Sequence, residues 1–242
     1  MPSQGGVTVT WLGHATTLID TPDGKRILID PWLTQNPAVP EDRKQIDRLD
    51  LMLITHGHLD HTGDAVAVAQ ATQPDIIANN EIAGWLGTKG VGKATGMNHG
   101  GTVEWNGIAI TMVEAVHSSG ITDGGETVYG GVAGGFVIRF ANDFTLYHAG
   151  DTDVFLGMSL IRDLLKPDVA MLPIGGHFTM DPTRAAAALR MLGVTAVIPI
   201  HYGTFPVLTG TPQELELAAG DISGLKVVAL KPGESVSQSD LI

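Results

Sequence analysis

The sequence predicts an α/β fold, a four-layer α/β/β/α sandwich of two mixed β-sheets flanked by helices. Three observations predict it. The chain opens with short apolar strands joined by turns, a β-meander rather than a strand–helix–strand unit. Helix and strand then alternate. The same outline starts again near Val132, antiparallel strands first and helix–strand alternation after, although the residues themselves do not repeat. No linker separates the halves, so residues 1–242 read as one domain.

In the first half, Val7 to Leu12 alternates as a strand and Gly13-His14 breaks it. Ala15 to Asp20 is a second strand, Thr21-Pro22-Asp23-Gly24 has turn chemistry, and Arg26 to Asp30 is a third. Pro31-Trp32-Leu33 opens a loop that runs through Pro37 and Pro40, and Met1 to Gly6 is expected to be frayed. The apolar run Asp50 to Ile54 reads as a buried strand. A histidine-rich loop follows, then an Ala/Val-rich helix over Asp64 to Ala71, a short strand over Asp75 to Ala78 and a short helix over Glu81 to Leu86. Gly87 to Gly101 reads as loop. Val103 to Val116 reads as two strands joined at Trp105-Asn106-Gly107, where Asn-Gly signals a hairpin. His117-Ser118-Ser119-Gly120 closes it, and a loop runs to Gly131.

The second half begins with strands over Val132 to Phe140 and Phe144 to His148, followed by Gly150-Asp151-Thr152. Asp153 is the expected cap of a helix from Val154 to Leu165, stopped by Pro167. Asp168 to Leu172 is a strand leading to Gly175-Gly176-His177. Asp181-Pro182 is a cap and first-turn pair for an Ala-rich helix through Leu192, ended by Gly193. Ala196 to Ile200 is a strand that delivers His201. Thr211-Pro212-Gln213-Glu214 fits a capping box, and Lys226 to Leu230 is the last strand before a polar tail.

Composition narrows the function classes. With 43% hydrophobic and 17% charged residues, the chain is globular rather than disordered. Its formal net charge of −12 and its lack of any Lys/Arg cluster argue against a nucleic-acid partner. There is no cysteine, which excludes disulfides and thiolate metal sites, so any metal must be held by imidazole and carboxylate. The first residues have neither the basic start nor the apolar core of a signal peptide, and no apolar run reaches membrane-spanning length. A cytoplasmic location is the default expectation.

Three imidazoles and a carboxylate are packed into Thr55-His56-Gly57-His58-Leu59-Asp60-His61, at the mouth of the strand ending at Ile54. Residues at a strand mouth project into loops that stand on a rigid base. Histidine is the commonest ligand of zinc-like metals, and a carboxylate is its usual oxygen partner. A single histidine here reads as part of a polar turn, but this cluster reads as a metal site. Other strand ends deliver His14, His117, Asp151, His177 and His201, mostly beside glycine. Each alone is better read as a hydrogen-bonded structural residue. Together, beside His56 to His61, they suggest convergence.

These residues resemble the metallo-β-lactamase superfamily. The resemblance rests on Thr-His-Gly-His-Leu-Asp-His at 55–61, His117, Gly-Asp-Thr at 150–152 and His201, in the family's order and spanning nearly the whole chain. Trp11-Leu12-Gly13-His14-Ala15, Ile29-Asp30-Pro31-Trp32 and Gly175-Gly176-His177-Phe178-Thr179-Met180 are similar to its small bacterial and archaeal metal-dependent hydrolases, related to ascorbate-6-phosphate lactonases and, more distantly, to phospholipase-D-type enzymes acting on N-acyl ethanolamine lipids. The resemblance implies two divalent metal ions, zinc first, with manganese, iron and nickel as alternatives. It implies His56, His58 and His117 at one ion, Asp60, His61 and His201 at the other, and Asp151 bridging them. The commonest β-lactamase subclass uses a Cys ligand that this chain lacks, so β-lactam hydrolysis is not the expected activity.

The expected activity is hydrolysis of a small ester, lactone or phosphoester by a water held between the two metals, whose pKa such coordination can lower to about 7. Asp60 is a candidate to orient the nucleophile. His14 and His177 are candidates for oxyanion contact or leaving-group protonation, and equally for orienting a ligand carboxylate. His148 reads as structural support, and His99 has no particular claim. Trp32, Tyr202, Thr204 and Phe205 flank the ligand loops and are candidates for pocket walls or for plain packing. The alternatives are a nuclease or phosphodiesterase on the same scaffold, for which no basic surface or RNA-gripping arm is visible; a di-iron redox protein, for which no flavin module is visible; and a non-catalytic metal-binding protein. The expected partner is a small-molecule substrate, with no nucleic acid and no membrane. A homo-oligomer is implied by the resemblance only.

Overall fold

A computed structural model describes residues 6–242, so the expected frayed start lies outside the described residues except for Gly6. In chain order the strands β1 to β8 are Thr8–Gly13, Thr16–Asp20, Arg26–Ile29, Leu51–Ile54, Asp75–Asn79, Ala94–Met97, Thr102–Trp105 and Ile108–Glu114. Strands β9 to β16 are Gly120–Asp123, Glu126–Tyr129, Gly134–Arg139, Thr145–His148, Val169–Pro173, Ala196–Ile200, Lys226–Val227 and Ser235–Ser237. The helices α1 to α7 are Leu59–Thr62, Ala65–Thr72, Asn80–Thr88, Met158–Leu165, Pro182–Leu192, Pro212–Ala218 and Gln238–Leu241.

These elements divide into two compact units. The first takes the described residues up to Asn98, then Ser118–Ala133 and Lys231–Asp240. The second takes His99–His117, Gly134–Leu230 and Leu241–Ile242.

The first unit holds a seven-stranded sheet in the order β16-β1-β2-β3-β4-β5-β6. The meander β1-β2-β3 pairs antiparallel, and β3 to β6 pair parallel. Parallel neighbours need crossover connections, and α1, α2 and α3 supply them between β4, β5 and β6. Met52, Ile54, Ile76 and Ala78 point from the sheet into one apolar cluster with Ala65, Val68, Ile82 and Leu86 of the helices. Strand β4 is buried along its whole length, which is why it reads as an unbroken apolar run.

The second unit repeats the plan. Its sheet runs β15-β14-β13-β12-β11-β8-β7, antiparallel from β7 to β12 and parallel from β12 to β15. The crossovers are α4, α5 and α6. Val137, Tyr147, Ala170, Leu172 and Val197 of the sheet pack with Met158, Ile161, Ala185, Leu189 and Leu215 of the helices. The expected two mixed sheets with their own helices are thus present, and so are the expected caps. Asp181 accepts from Arg184 N with Pro182 in the first turn, Gly193 ends α5 in the left-handed region, and Thr211 and Glu214 form the capping box of α6.

Four expectations are corrected. Gly87 to Gly101 is not all loop. Ala94–Met97 forms β6 at the sheet edge, held by backbone pairing to β5 although its side chains lack an apolar alternation. The loop up to Gly131 contains the hairpin β9–β10, turned by Gly124 and Gly125 at φ +60° and +88°, the positive values such a tight turn requires. The polar tail contains β16, paired antiparallel to β1. Helix α4 starts at Met158 rather than Val154. The Asp153 carboxylate is committed to Val154 N and the Arg184 guanidinium instead of capping a first turn. No helix among the described residues is long and apolar enough to cross a membrane.

Candidate metal centre

In the first unit, β4 ends at Ile54 and the chain turns through Thr55 to His58 into α1. The turn is organised by a carboxylate at the neighbouring strand end. Asp30 is completely buried, just beyond β3, in the left-handed conformation with φ +52°. Its Oδ1 accepts from Thr55 N at 2.8 Å. Its Oδ2 accepts from Thr55 Oγ1 at 2.7 Å and stands 2.8 Å from His61 Nδ1.

A carboxylate can only accept here, so the His61 proton sits on Nδ1 and its lone pair on Nε2. The Thr55 hydroxyl donates its one hydrogen bond to Asp30. Towards His56 Nδ1, 3.0 Å away, it can therefore only accept. That assignment puts the His56 lone pair on Nε2. One buried carboxylate thereby sets the tautomers of two imidazoles, a common way of aiming a metal ligand.

His56 Nε2 faces His58 Nδ1 at 3.0 Å, and the far nitrogen of His58, Nε2, stands 3.2 Å from Ser118 Oγ. His14 is fully buried at φ +56°, its carbonyl accepting from Trp11 Nε1 at 2.8 Å. Its Nε2 lies 3.1 Å from Asp60 Oδ2. His14, Asp60 and His61 can present ligand atoms within 4.8 Å of one another, as can Asp30, His56 and His61. Gly57 admits no side chain, since a Cβ would lie 2.7 Å from Ile121 Cγ1.

In the second unit, three candidates meet around one carboxylate. Asp151 Oδ2 lies 3.0 Å from His201 Nε2 and 3.6 Å from His117 Nε2. Asp151 and His201 are nearly fully buried. The turn carrying Asp151 is bolted to the end of β8. Thr152 Oγ1 accepts from Val116 N at 2.9 Å, and Val116 O accepts from Asp153 N at 3.2 Å, which sets His117 beside Asp151. His148 supports the same turn, its Nδ1 accepting from Gly150 N at 3.2 Å. His201 follows β14 at φ +55°. A Cβ on Gly175 would clash with the His201 carbonyl oxygen, so glycine is required at that close approach.

His14, Asp30, His177 and His201 all adopt positive φ. The left-handed region costs an ordinary residue about 1–2 kcal/mol, and such strain gathers at functional positions. The other non-glycine residues in that region are helix ends or turns, such as Gln73, Lys166 and Asn106.

The remaining candidates are placed as follows. His177 is exposed, its ring edge-on to Phe178 with centroids 4.4 Å apart. Trp32 is buried against His14, 5.1 Å between ring centroids, and is packing rather than an open wall. Tyr202 is half-buried and donates to Leu230 O at 3.4 Å; burial raises its phenol above the usual tyrosine range. Thr204 and Phe205 are also half-buried. Residue-by-residue reading left out Asp30, Thr55, Ser118 and Ser119 as supporting groups. Asp30 and Thr55 carry a signal, since each stands at the end of an apolar strand as other site residues do.

The donor set is imidazole and carboxylate throughout, aimed by hydroxyls and a buried carboxylate. That chemistry fits a divalent cation of borderline softness.

A family model described as a beta-lactamase superfamily domain matches residues 25–202. A metal-dependent hydrolase of Koribacter versatilis is 54% identical over 232 residues, covering 96% of this chain and 98% of the relative. One of Rubrobacter xylanophilus is 47% identical over 234 residues, covering 96% and 97%. The solved structure of a metallo hydrolase from the hyperthermophilic archaeon Ignicoccus hospitalis matches with a TM-score of 0.84 at 36% identity, covering 95% of this chain and 97% of that one. Motifs, paired sheets and relatives agree, and the chain belongs to the metallo-β-lactamase superfamily, among its metal-dependent hydrolases.

Proposed function

We propose that the chain is a dinuclear hydrolase of small ester, lactone or phosphoester substrates. In this reading His56, His58 and His117 hold one divalent ion, Asp60, His61 and His201 hold the other, and Asp151 serves both. The observation that carries it is the aiming of the imidazoles. His56 and His61 each have one ring nitrogen tied through the Asp30–Thr55 network, which leaves the opposite nitrogen with the lone pair a metal needs.

When bound, the ions supply Lewis acidity and acidify a coordinated water to a pKa of about 7. The chain's own residues do the rest. Asp60 accepts or steers a proton at its Oδ2, and His14 Nε2, 3.1 Å away, fixes the direction of that carboxylate. The contact favours the orienting role of His14 over direct contact with substrate. Asp151 Oδ2, between His117 and His201, balances the charge of the ions. His177 lies on an exposed turn, and in this reading it is the candidate for protonating the leaving group.

The test uses the purified protein stripped with a chelator and reloaded with zinc, manganese, iron or nickel in turn. Each form is assayed on a phosphodiester, a lactone and a thioester. The reading predicts hydrolysis of one of these that vanishes on stripping, returns on reloading, and is absent from the His56→Ala/His58→Ala double variant. Activity that survives in the stripped double variant refutes it.

A further inference from the structure

We infer that Ser118 and Ser119 form a clamp on the His56–His58 turn, with the Ser118 hydroxyl as the positioning group that turns His58 Nδ1 toward the metal. The inference rests on the dinuclear reading above. It starts from an asymmetry in how the imidazoles are held. His56 and His61 answer to a buried carboxylate, directly or through Thr55. For His58 the contact at the far nitrogen is instead an exposed hydroxyl, Ser118 Oγ, 3.2 Å from Nε2. Only one nitrogen of a neutral imidazole carries a proton. A metal held by both His56 Nε2 and His58 Nδ1, which face each other at 3.0 Å, would need a lone pair on each; His58 then keeps its proton on Nε2, where Ser118 Oγ is placed to accept it.

The neighbouring serine fixes the backbone of the same turn. Ser119 Oγ accepts from Gly57 N at 3.0 Å and donates to Gly130 O at 2.7 Å. Gly130 N returns a bond to Ser119 O at 2.9 Å, and Asn79 Nδ2 also donates to Gly130 O at 2.7 Å. Ser119 is therefore anchored from both sides and buried, and it holds the peptide between the two histidines. Ile121 of the same segment packs so close to Gly57 that a Cβ there would lie 2.7 Å from its Cγ1. Ser119 sets where the turn lies, and Ser118 sets which way the His58 ring faces. Because water can partly replace an exposed hydroxyl, the effect of losing Ser118 belongs at the low end of the 10–100-fold range for groups that orient metal ligands.

The experiment titrates the metal-free protein with cobalt(II) alone, against a chromophoric chelator, and follows the visible ligand-field spectrum. Wild type, Ser118→Ala and Ser118→Thr are compared, with thermal unfolding as the control for folding. The clamp predicts two cobalt sites in wild type. In Ser118→Ala one of them weakens about tenfold with an altered spectrum, and the other keeps its affinity and spectrum. Ser118→Thr, which keeps the hydroxyl, restores the wild-type pattern. Ser118→Ala with both affinities within twofold of wild type overturns the clamp and leaves the dinuclear reading standing. Wild type that takes up no cobalt overturns both.

Discussion

At the residue scale the central feature is Asp30. A fully buried carboxylate persists only if its oxygens are satisfied, and here Thr55 N, Thr55 Oγ1 and His61 Nδ1 do so. Asp30→Asn keeps the shape but turns an amide NH2 toward a group that must donate. We expect a stability loss of about 1–3 kcal/mol in the metal-free protein, from a buried donor left unmatched. We also expect metal affinity to fall about 10- to 100-fold, since His56 and His61 lose their tautomer control. Thermal unfolding and chelator competition measure the two effects separately, and unchanged affinity would show that Asp30 serves the fold alone. The candidate ligands themselves were legible in the sequence, because metal ligands must be specific residue types at specific places. Their supports were not. A hydroxyl such as Thr55 or Ser118 is a common residue, and only three-dimensional contact distinguishes a tether from a solvated side chain.

At the element scale, the elements read correctly are those whose side chains are sorted by burial. Strand β4 is an apolar run, and α6 begins with a capping box visible in four residues. Those missed are held by backbone pairing instead. Strands β6 and β16 are short and polar, added to sheet edges by hydrogen bonds that no side-chain pattern records. The β9–β10 hairpin did carry a signal, Gly124-Gly125, but its flanking residues are largely exposed and lack a clear alternation.

That hairpin also yields a pH prediction. Asp123, at the end of β9, is held below the usual carboxylate range first by Lys89 Nζ at 2.6 Å and then by Trp85 Nε1 at 3.0 Å. A carboxyl whose pKa is lowered on folding stabilises the fold above its unfolded value, about 3.9, and that stabilisation is lost as pH falls through the lower folded value. Trp85 fluorescence should therefore hold steady through neutral and mildly acidic pH and change below the ordinary Asp range. Asp123→Asn should show the acid-form signal at pH 7. Identical pH profiles for the two proteins would contradict this anchoring.

At the scale of the whole molecule, each unit repeats one plan, an antiparallel run that continues into parallel strands with helical crossovers. The plan was legible because each half runs strands first and helix–strand alternation second. The units themselves were not, because both are built from separated stretches of chain and residues 99–117 belong with the later half. His56, His117, Asp151 and His201 sit just beyond the C-terminal ends of strands, where open α/β sheets gather their sites, and Asp60 and His61 lie in α1, the helix that follows β4. Membership of the metal-dependent hydrolases gives the coarse chemistry, and the donor set argues for two ions. The most direct measurement is anomalous diffraction at the zinc edge from crystals of the zinc-loaded protein. The account predicts two strong peaks, one among His56, His58 and His117 and one among Asp60, His61 and His201, with Asp151 in reach of both. A single peak, or peaks away from these side chains, would contradict it.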